Sequence, residues 1–433
     1  MTLSNTVASS IIKNYRFSQN AFLPRIVEIP LMMEDGISYK SIVNVGDKVE
    51  EGQKIAVSSE YDGEKTFIRS SVPGTVVAIE PCFSPNGRQT FAVKIKTGGS
   101  FSYIGKIPKE KNTHYTNELL SKKLIEDGVI NTFYSSKPQN FGIQLKKVKP
   151  KTNIIVRLFD EDPYRITDSL ISRLYFEQVI KGAKILSDAI GFSGIVFCVD
   201  QKMEDKSYFS DKNPELDKNV AVLQMNLKNY PYGIPREIIS AFKKSGLKKT
   251  CGFEISKNDL FVDSTTIYKV YKSACLSVPS INSLVHFSGD CLNLSCMLDV
   301  KNGALLKDIV SQLGYFVKTP EMVIINGRMC GVCVQTLEVP VTLYVKSVEF
   351  ISKQKKLDEQ IYTCVNCGNC RVACPVKLSP DILYNNISKF KHLPENFAKS
   401  SLACLECGLC NTVCPARLPL SQTISVLKKT IEN

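Results

Sequence analysis

The 433-residue chain is 43% hydrophobic and 22% charged, an ordinary globular balance with room for about three domains of about 150 residues each. No apolar run reaches the roughly 18 residues of a membrane span, and the opening Met1-Thr-Leu-Ser-Asn-Thr-Val lacks the layout of a secretion signal, so a cytoplasmic chain is expected. Fifty-five Lys and Arg against 42 Asp and Glu give +13, which suits an acidic partner or an anionic membrane face, but the basic patch Lys146, Lys147, Lys149 and Lys151 has no interleaved aromatics and reads as a solvated loop, not a nucleic-acid groove.

Residues 1–22 read as a lead-in without periodicity. From 23 to 98 the text alternates like short strands with glycine turns. Asn44-Val-Gly-Asp-Lys-Val-Glu-Glu-Gly-Gln-Lys-Ile-Ala56 puts Gly46 and Gly52 at turns, and Ser71-Val-Pro-Gly-Thr-Val-Val-Ala-Ile79 repeats the form. This pseudo-repeat predicts a barrel-sandwich hybrid of the lipoyl and biotinyl type. Lys65 falls where such domains carry a prosthetic group, but its neighbours Glu64 and Thr66 are not a modification context, so a scaffold is expected.

A helix capped by Thr116 is predicted, with Leu119, Leu120, Leu124 and Ile125 on one face and Gly128 as its stop. Strands at 153–159, 194–199 and 220–225 alternate with a long helix over about 168–186. That order predicts a mainly parallel, Rossmann-like α/β core over 114–276. From 278 to 352 strand pairs surround one helix, 304–313, with Leu305, Leu306, Ile309, Val310 and Leu313 on its apolar face, as in a small β-grasp domain. Residues 353–433 read as helical between cysteine runs. The fold class is therefore multidomain α+β.

Sixteen cysteines beside only three histidines (His114, His286 and His392) are the loudest feature. Clustered cysteines in a cytosolic chain point to metal or redox work rather than disulfides. Cys364-Val-Asn-Cys367-Gly-Asn-Cys370-Arg-Val-Ala-Cys374-Pro375 and Cys404-Leu-Glu-Cys407-Gly-Leu-Cys410-Asn-Thr-Val-Cys414-Pro415 each have the spacing C-x2-C-x2-C-x3-C-P, that of a two-cluster ferredoxin. Three thiolates two residues apart wrap one cubane, with Gly368 and Gly408 letting the backbone approach. The fourth cysteine, a helical turn on, points away to the other cluster. One [4Fe–4S] cluster is then expected on Cys364, Cys367, Cys370 and Cys414, the second on Cys404, Cys407, Cys410 and Cys374. A zinc ribbon explains neither the third and fourth cysteines nor the prolines. Ser379-Pro380 and Pro394 each start a helix in the insert, which predicts an all-α dicluster module.

The other eight cysteines are Cys82, Cys198, Cys251, Cys275, Cys291, Cys296, Cys330 and Cys333. Cys330-Gly-Val-Cys333 has metal-pair spacing, with Cys291 and Cys296 as conceivable partners. Burial in β structure is the commoner explanation.

In this order of parts the chain resembles the RnfC family, the peripheral subunit of the ion-translocating Rnf electron-transport complex. The residues that carry the resemblance are Val45-Gly-Asp-Lys-Val-Glu-Glu-Gly-Gln-Lys-Ile55, Pro73-Gly-Thr-Val76 and both cysteine runs. Asn326-Gly-Arg-Met-Cys-Gly331 looks like a worn form of that family's Gly-Gly-Pro-Met-Met-Gly. The resemblance implies a core that binds FMN and NADH, with a Gly-Gly-Ala-Gly-Phe-Pro-Thr loop after the first helix. Here that loop reads Asn131-Thr-Phe-Tyr-Ser-Ser-Lys-Pro-Gln-Asn-Phe-Gly142, and Glu-Cys-Glu-Pro-Tyr becomes Asp160-Glu-Asp-Pro-Tyr164. Most glycines are gone, and side chains fill space that a dinucleotide backbone needs.

The expectation is an electron relay on the cytoplasmic face of a membrane complex, attached through integral membrane and flavin-bearing subunits, with two [4Fe–4S] clusters and FMN doubtful. An acidic ferredoxin or flavodoxin donor would suit the eight basic against four acidic residues after Ile361. The rivals are a soluble NADH-dependent flavin reductase and a structural adaptor whose clusters do not transfer electrons.

Overall fold

The structure, a computed structural model, describes residues 16–33, 36–60, 63–104, 108–111, 114–134, 138–191, 194–202, 219–352, 360–390 and 395–432. Its contacts divide the chain into two compact units, 1–327 with 332–352, and 328–331 with 353–433. Among the described residues no helix is long and apolar enough to cross a membrane.

In the first unit, β1 (Arg16–Asn20) pairs in parallel with residues 296–299, so the segment expected as a lead-in contributes a strand; residues 1–15 of it lie outside the described residues. β2 (Ile26–Pro30), β3 (Tyr39–Ser41), β4 (Lys48–Val49), β5 (Lys54–Ser58), β6 (Phe67–Arg69), β7 (Gly74–Phe83) and β8 (Gln89–Thr97) follow. They make one sheet ordered β2-β8-β7-β4 and another ordered β3-β5-β6. Alternate residues of both sheets, among them Val27, Ile29, Ile55, Val76, Val93 and Ile95, share one core, which is the barrel-sandwich hybrid architecture. The two glycine turns tie the pseudo-repeat together: Gly46 N–H donates to Val76 O (2.8 Å) and Gly52 N–H to Ser70 O (2.8 Å). Lys65 is exposed just before β6.

The α/β part begins with α1 (Asn117–Glu126), whose Thr116 side chain caps Leu119 N–H. Leu120, Leu124 and Ile125 are buried, but Leu119 is 57% exposed. One residue back from Leu120 is about 100° round the helix, which turns Leu119 to solvent. β9 (Ile130–Asn131), β10 (Gln139–Asn140), α2 (Phe141–Lys146) and β11 (Ile154–Arg157) come next. The single helix expected over 168–186 is two, α3 (Thr167–Leu174) and α4 (Phe176–Ile190), broken at Tyr175 (φ −124°, ψ 37°). The Tyr175 ring stacks on Tyr268 at 4.5 Å, a tertiary contact that helical periodicity does not report.

β12 (Ile195–Asp200), β13 (Val220–Met225), α5 (Pro235–Ser245), α6 (Leu247–Cys251), β14 (Leu260–Asp263) and α7 (Ser264–Leu276) complete this layer. Its four strands are all parallel in the order β13-β12-β11-β14. β14 is additional to the three strands expected. The remaining strands, β15 (Asn282–Ser288), β16 (Cys296–Lys301), β17 (Pro320–Ile325), β18 (Val332–Val334) and β19 (Ser347–Ser352), join β1 in a mixed six-stranded sheet ordered β1-β16-β15-β19-β17-β18. The helix there, α8 (Leu306–Gln312), buries Leu306, Ile309 and Val310 and stops before Leu313.

In the second unit the described secondary structure is helical: α9 (Asn369–Ala373), α10 (Pro380–Phe390), α11 (Glu395–Ser400), α12 (Leu409–Thr412) and α13 (Leu420–Glu432). Pro380 opens α10 as expected for a proline in the first turn. Pro394 lies outside the described residues.

Candidate metal centre

The two cysteine runs adopt one backbone conformation twice. Asn366 and Glu406 are left-handed (φ 55° and 54°), as are Gly368 and Gly408 (75° and 72°) and, after the prolines, Lys377 and Arg417 (57° and 54°). Hydrogen bonds repeat with the backbone. Arg371 N–H donates to Gly368 O and Asn411 N–H to Gly408 O, each at 3.0 Å; Lys377 N–H donates to Cys374 O at 3.1 Å and Arg417 N–H to Cys414 O at 3.2 Å. Non-glycine residues avoid left-handed backbone unless the surroundings impose it. Two such residues recurring at matched positions show that cysteine spacing and chain path form one duplicated device.

Each glycine serves differently. A Cβ on Gly408 would stand 2.6 Å from Met329 O, so both its φ and the close neighbour require glycine, whereas nothing lies within 4 Å of a Cβ on Gly368 and only its φ does.

The runs interlock. Cys374 of the first lines a small hollow with Cys404, Cys407 and Cys410 of the second, beside Pro375 and Ile424. Cys414 of the second packs with Cys364 and Cys370 of the first around Leu418, Leu420 and Tyr384; Cys410 borders the same group. Backbone amides aim at sulfur: Leu378 N–H reaches Cys374 Sγ at 3.2 Å and Glu406 N–H reaches Cys404 Sγ at 3.4 Å. Burial pushes the Cys407 thiol up to about 11 and Cys410 up to about 12, and raises Cys404 and Cys370. As free groups these sulfurs are protonated at neutral pH, so a metal that takes them as thiolates must displace protons.

The donor set fits an iron–sulfur cluster. Four sulfurs border the hollow at the second run, Cys364, Cys370 and Cys414 group at the first, amides face Cys374 and Cys404, and apolar side chains limit water. Among the described residues no three His, Cys, Asp or Glu close in as ligands of a single ion, so Cys291, Cys296, Cys330 and Cys333 form no such site. Cys82, Cys198, Cys275 and Cys291 are buried in the first unit.

A second feature, which the sequence reading missed, lies in that unit. β11, β12 and β13 wind to one side and β14 returns on the other side of β11, so winding reverses between β11 and β14. Open parallel sheets bind ligands at such a reversal, beyond the strands' carboxyl ends. Here those ends are Arg157 and Asp263, paired in register and both fully buried.

The chain itself fills the crevice. The Phe133 ring covers the Arg157 guanidinium at 4.2 Å, and Arg157 donates to Phe133 O at 2.7 Å and Gly233 O at 3.2 Å. The buried Lys346 ammonium bonds Asp168 Oδ2 (2.7 Å) and Asp263 Oδ2 (2.6 Å). Burial works to raise the Asp263 carboxyl, but Lys346 and Arg157 outweigh it and hold it below the ordinary carboxylate range.

Helix N-termini, which favour anions, are taken as well. Asp263 accepts from Thr266 N–H (2.8 Å) and Asp168 from Thr265 N–H (3.2 Å) at α7. Asp160 accepts from the N–H groups of Asp168 and Ser169 (both 3.0 Å) at α3. The acidic segment 160–164 is thus buried architecture: Asp160 also pairs with Arg165, and a Cβ on Gly327 would fall 2.3 Å from Asp162 Cγ. Of the loop 131–142, residues 135–137 lie outside the described residues.

These features define a multidomain protein with a barrel-sandwich hybrid, mixed α/β layers and a duplicated cysteine module. Residues 14–100 match the model of the RnfC barrel sandwich hybrid domain. The chain is 22% identical over 365 residues (82% of this chain, 80% of the relative) to the C subunit of the Na(+)-translocating ferredoxin:NAD(+) oxidoreductase complex of Acetobacterium woodii. It is 27% identical over 380 residues to the C subunit of the ion-translocating oxidoreductase complex of Methanosarcina acetivorans, covering 83% and 81% of the two chains. It is 25% identical over 373 residues to the counterpart of that second relative in Actinobacillus succinogenes, covering 84% of this chain but spanning about half (52%) of that longer protein. Among solved structures, an NAD+-reducing [NiFe]-hydrogenase is similar with a TM-score of 0.44 at 11% identity, over 73% of this chain and 64% of that one. Over more than four fifths of its length the chain is thus similar to the C subunits of ion-translocating oxidoreductase complexes, and its barrel-sandwich part matches the RnfC domain model.

Proposed function

We propose that this protein is an electron-relay subunit of a membrane-associated, Rnf-type ion-translocating oxidoreductase. In this reading Cys364, Cys367, Cys370 and Cys414 hold one [4Fe–4S] cluster, and Cys404, Cys407, Cys410 and Cys374 hold the other. The observation that carries it is the interlock, in which Cys374 lines one hollow with Cys404, Cys407 and Cys410 while Cys414 packs with Cys364 and Cys370. When bound, such clusters carry single electrons at potentials tuned by hydrogen bonds to sulfur and by exposure. The chain's own part is to keep the sulfurs in register through the left-handed residues, donate amide hydrogens to them and limit water with Leu418, Leu420 and Ile424.

The filled crevice between β11 and β14 supports loss of the NADH and FMN site implied by the family resemblance. A phosphate there would have to displace Asp168 and Asp263 from the start of α7 and Phe133 from Arg157. The further reading comprises an SLBB-like β-grasp layer over 278–352, a ferredoxin-type module over 353–433, and attachment to the cytoplasmic membrane face through integral membrane subunits.

An anaerobic absorbance titration tests both parts. NADH is added first and dithionite second to the reconstituted protein. The expected result is bleaching of the broad cluster band by dithionite alone, with no flavin retained through purification. Bleaching by NADH would restore the reading as an NADH-oxidising flavo-iron-sulfur protein. Clusters that resist dithionite would leave the structural adaptor.

A further inference from the structure

The filled crevice is the carboxyl end of the parallel sheet; the amino end, where the strands begin, gathers lysines from separate stretches of chain. Asn153, just before β11, is the junction. It donates its N–H to Asp259 Oδ1 (3.0 Å), just before β14, and its side-chain amide to Glu254 O (2.8 Å). Lys151 N–H donates to Ile190 O (3.0 Å) at the end of α4. A Cβ on Gly194, which precedes β12, would fall 2.7 Å from the Phe253 ring, and that ring stacks on Phe242 near the end of α5 (6.2 Å between centroids). The end of α5, α6 and the loops before β11 and β14 therefore meet at one end of the sheet.

Over 147–152, 188–194 and 243–259 the chain carries eight lysines, no arginine and three acids. Lys147, Lys149 and Lys151 are exposed on the first loop, Lys243, Lys244, Lys248 and Lys249 on and beside the two helices, and Lys257 on the last loop. The acids offset little of this charge. Glu254 is paired with Lys248, and Asp259 is half-buried and accepts from the N–H groups of Asn153 and Ser256; Asp188 lies in the last turn of α4. Among the described residues no carboxylate stands within ion-pair distance of Lys149, Lys151, Lys249 or Lys257. A helix C-terminus favours lysine, which explains those at the ends of α5 and α6 one by one. It does not explain Lys149, Lys151 and Lys257, which lie on no helix.

The character of the patch selects its partner. Every cation is a lysine, a compact point charge without the planar fork with which arginine grips one carboxylate or phosphate. Among the described residues from 141 to 260 no large apolar side chain is exposed. A protein partner needs an apolar interface core, and single-stranded nucleic acid needs aromatic platforms. A fluid layer of anionic headgroups needs neither, only several cations on one face.

We propose that the amino end of the parallel sheet lies against an anionic lipid surface, so that the subunit meets the membrane directly as well as through its partners. The proposal deepens the membrane-associated reading above. Its ligand is the phosphate of phospholipid headgroups, and no bond is made or broken.

The experiment sediments the full chain, with clusters reconstituted, with vesicles of phosphatidylcholine alone or containing about 30% phosphatidylglycerol. Wild-type protein should pellet with the anionic vesicles only. It should be released at about 0.5 M salt, where the Debye length is only a few ångströms. Each lysine at an anionic surface contributes about fivefold in affinity, so Lys149→Gln, Lys249→Gln and Lys257→Gln together should weaken binding about a hundredfold. Lys40→Gln, Lys48→Gln and Lys96→Gln remove the same charge from exposed positions of the barrel-sandwich part. Screened from the contact, that triple should weaken binding by no more than about threefold. All six side chains are exposed, so thermal melts of both triples should match wild type.

Wild-type protein that ignores anionic vesicles, or equal weakening by the two triples, would overturn the proposed face. Retention on duplex DNA without vesicle binding would give the patch to nucleic acid and overturn it as well. Vesicle binding needs no electron transfer, so these failures leave the relay reading standing. Clusters that never reduce would sink the relay and leave the lipid face.

Discussion

Lys346→Met tests whether the crevice is a permanently closed, charge-balanced plug. Lys346 Nζ stands 2.7 Å from Asp168 and 2.6 Å from Asp263, with all three side chains nearly or fully buried. Removing one partner of a buried ion pair costs about 3–5 kcal/mol, because the other charge stays behind unpaired. Here two carboxylates remain. Arg157 still acts on Asp263, and Arg165 lies 3.8 Å from Asp168, so a loss near the lower end, about 3 kcal/mol, is expected at neutral pH.

The pH dependence follows from the direction of the shift. In the wild type the Asp263 carboxyl sits below its unfolded value of about 3.9, so its contribution is present above that pH and is lost as the pH falls through the depressed folded value. Without the ammonium, burial dominates and raises the carboxyl, so the variant loses stability as pH rises through the raised value. The gap between the two proteins should be widest near pH 7.5 and narrow towards pH 4. Amide hydrogen exchange of β11 and α7 at several pH values measures it locally. Adding Asp168→Asn should recover part of the loss. A variant as protected as wild type at pH 7.5, or a gap that widens in acid, would refute the plug.

Three further outcomes are expected. Cys374→Ser should lower bound iron from about eight to about four atoms while the cluster on Cys364, Cys367 and Cys370 keeps its spectroscopic signature, read by iron assay and low-temperature EPR; loss of that cluster instead would break the crossed ligand assignment. Gly368→Ala should cost about 1–2 kcal/mol for a left-handed alanine. Gly408→Ala should cost distinctly more, because its Cβ would also meet Met329 O at 2.6 Å; thermal melts of the loaded proteins compare them. In metal-free protein at pH 8, exposed Cys367 should alkylate well before Cys407 and Cys410, whose thiols burial holds near 11 and 12, and peptide mass mapping reads the order.

How legible the protein was depends on the range of each interaction. The cysteine spacing, the prolines and the glycines already specify a duplicated ligand loop, because three ligands of one cluster lie within a single turn of chain and spacing sets their reach. The Gly46 and Gly52 turns and the Thr116 cap were readable for the same reason: each is decided by neighbours a few residues away. Leu119 was misplaced because apolar character names a face only to within a helical step.

Tertiary structure alone decided the rest. Nothing in the opening residues announces that Arg16–Asn20 will pair beside Cys296–Lys301, because a strand's partner is chosen by long-range hydrogen bonding and not by its own periodicity. Tyr175 breaks a helix at the point where its ring meets Tyr268. Thr132, Asp168, Asp263 and Lys346 look like scattered polar residues in the text. Only the meeting of the end of β9, α3, β14 and the turn before β19 brings them together in the interior, where a charge survives only if its partner arrives from elsewhere in the chain.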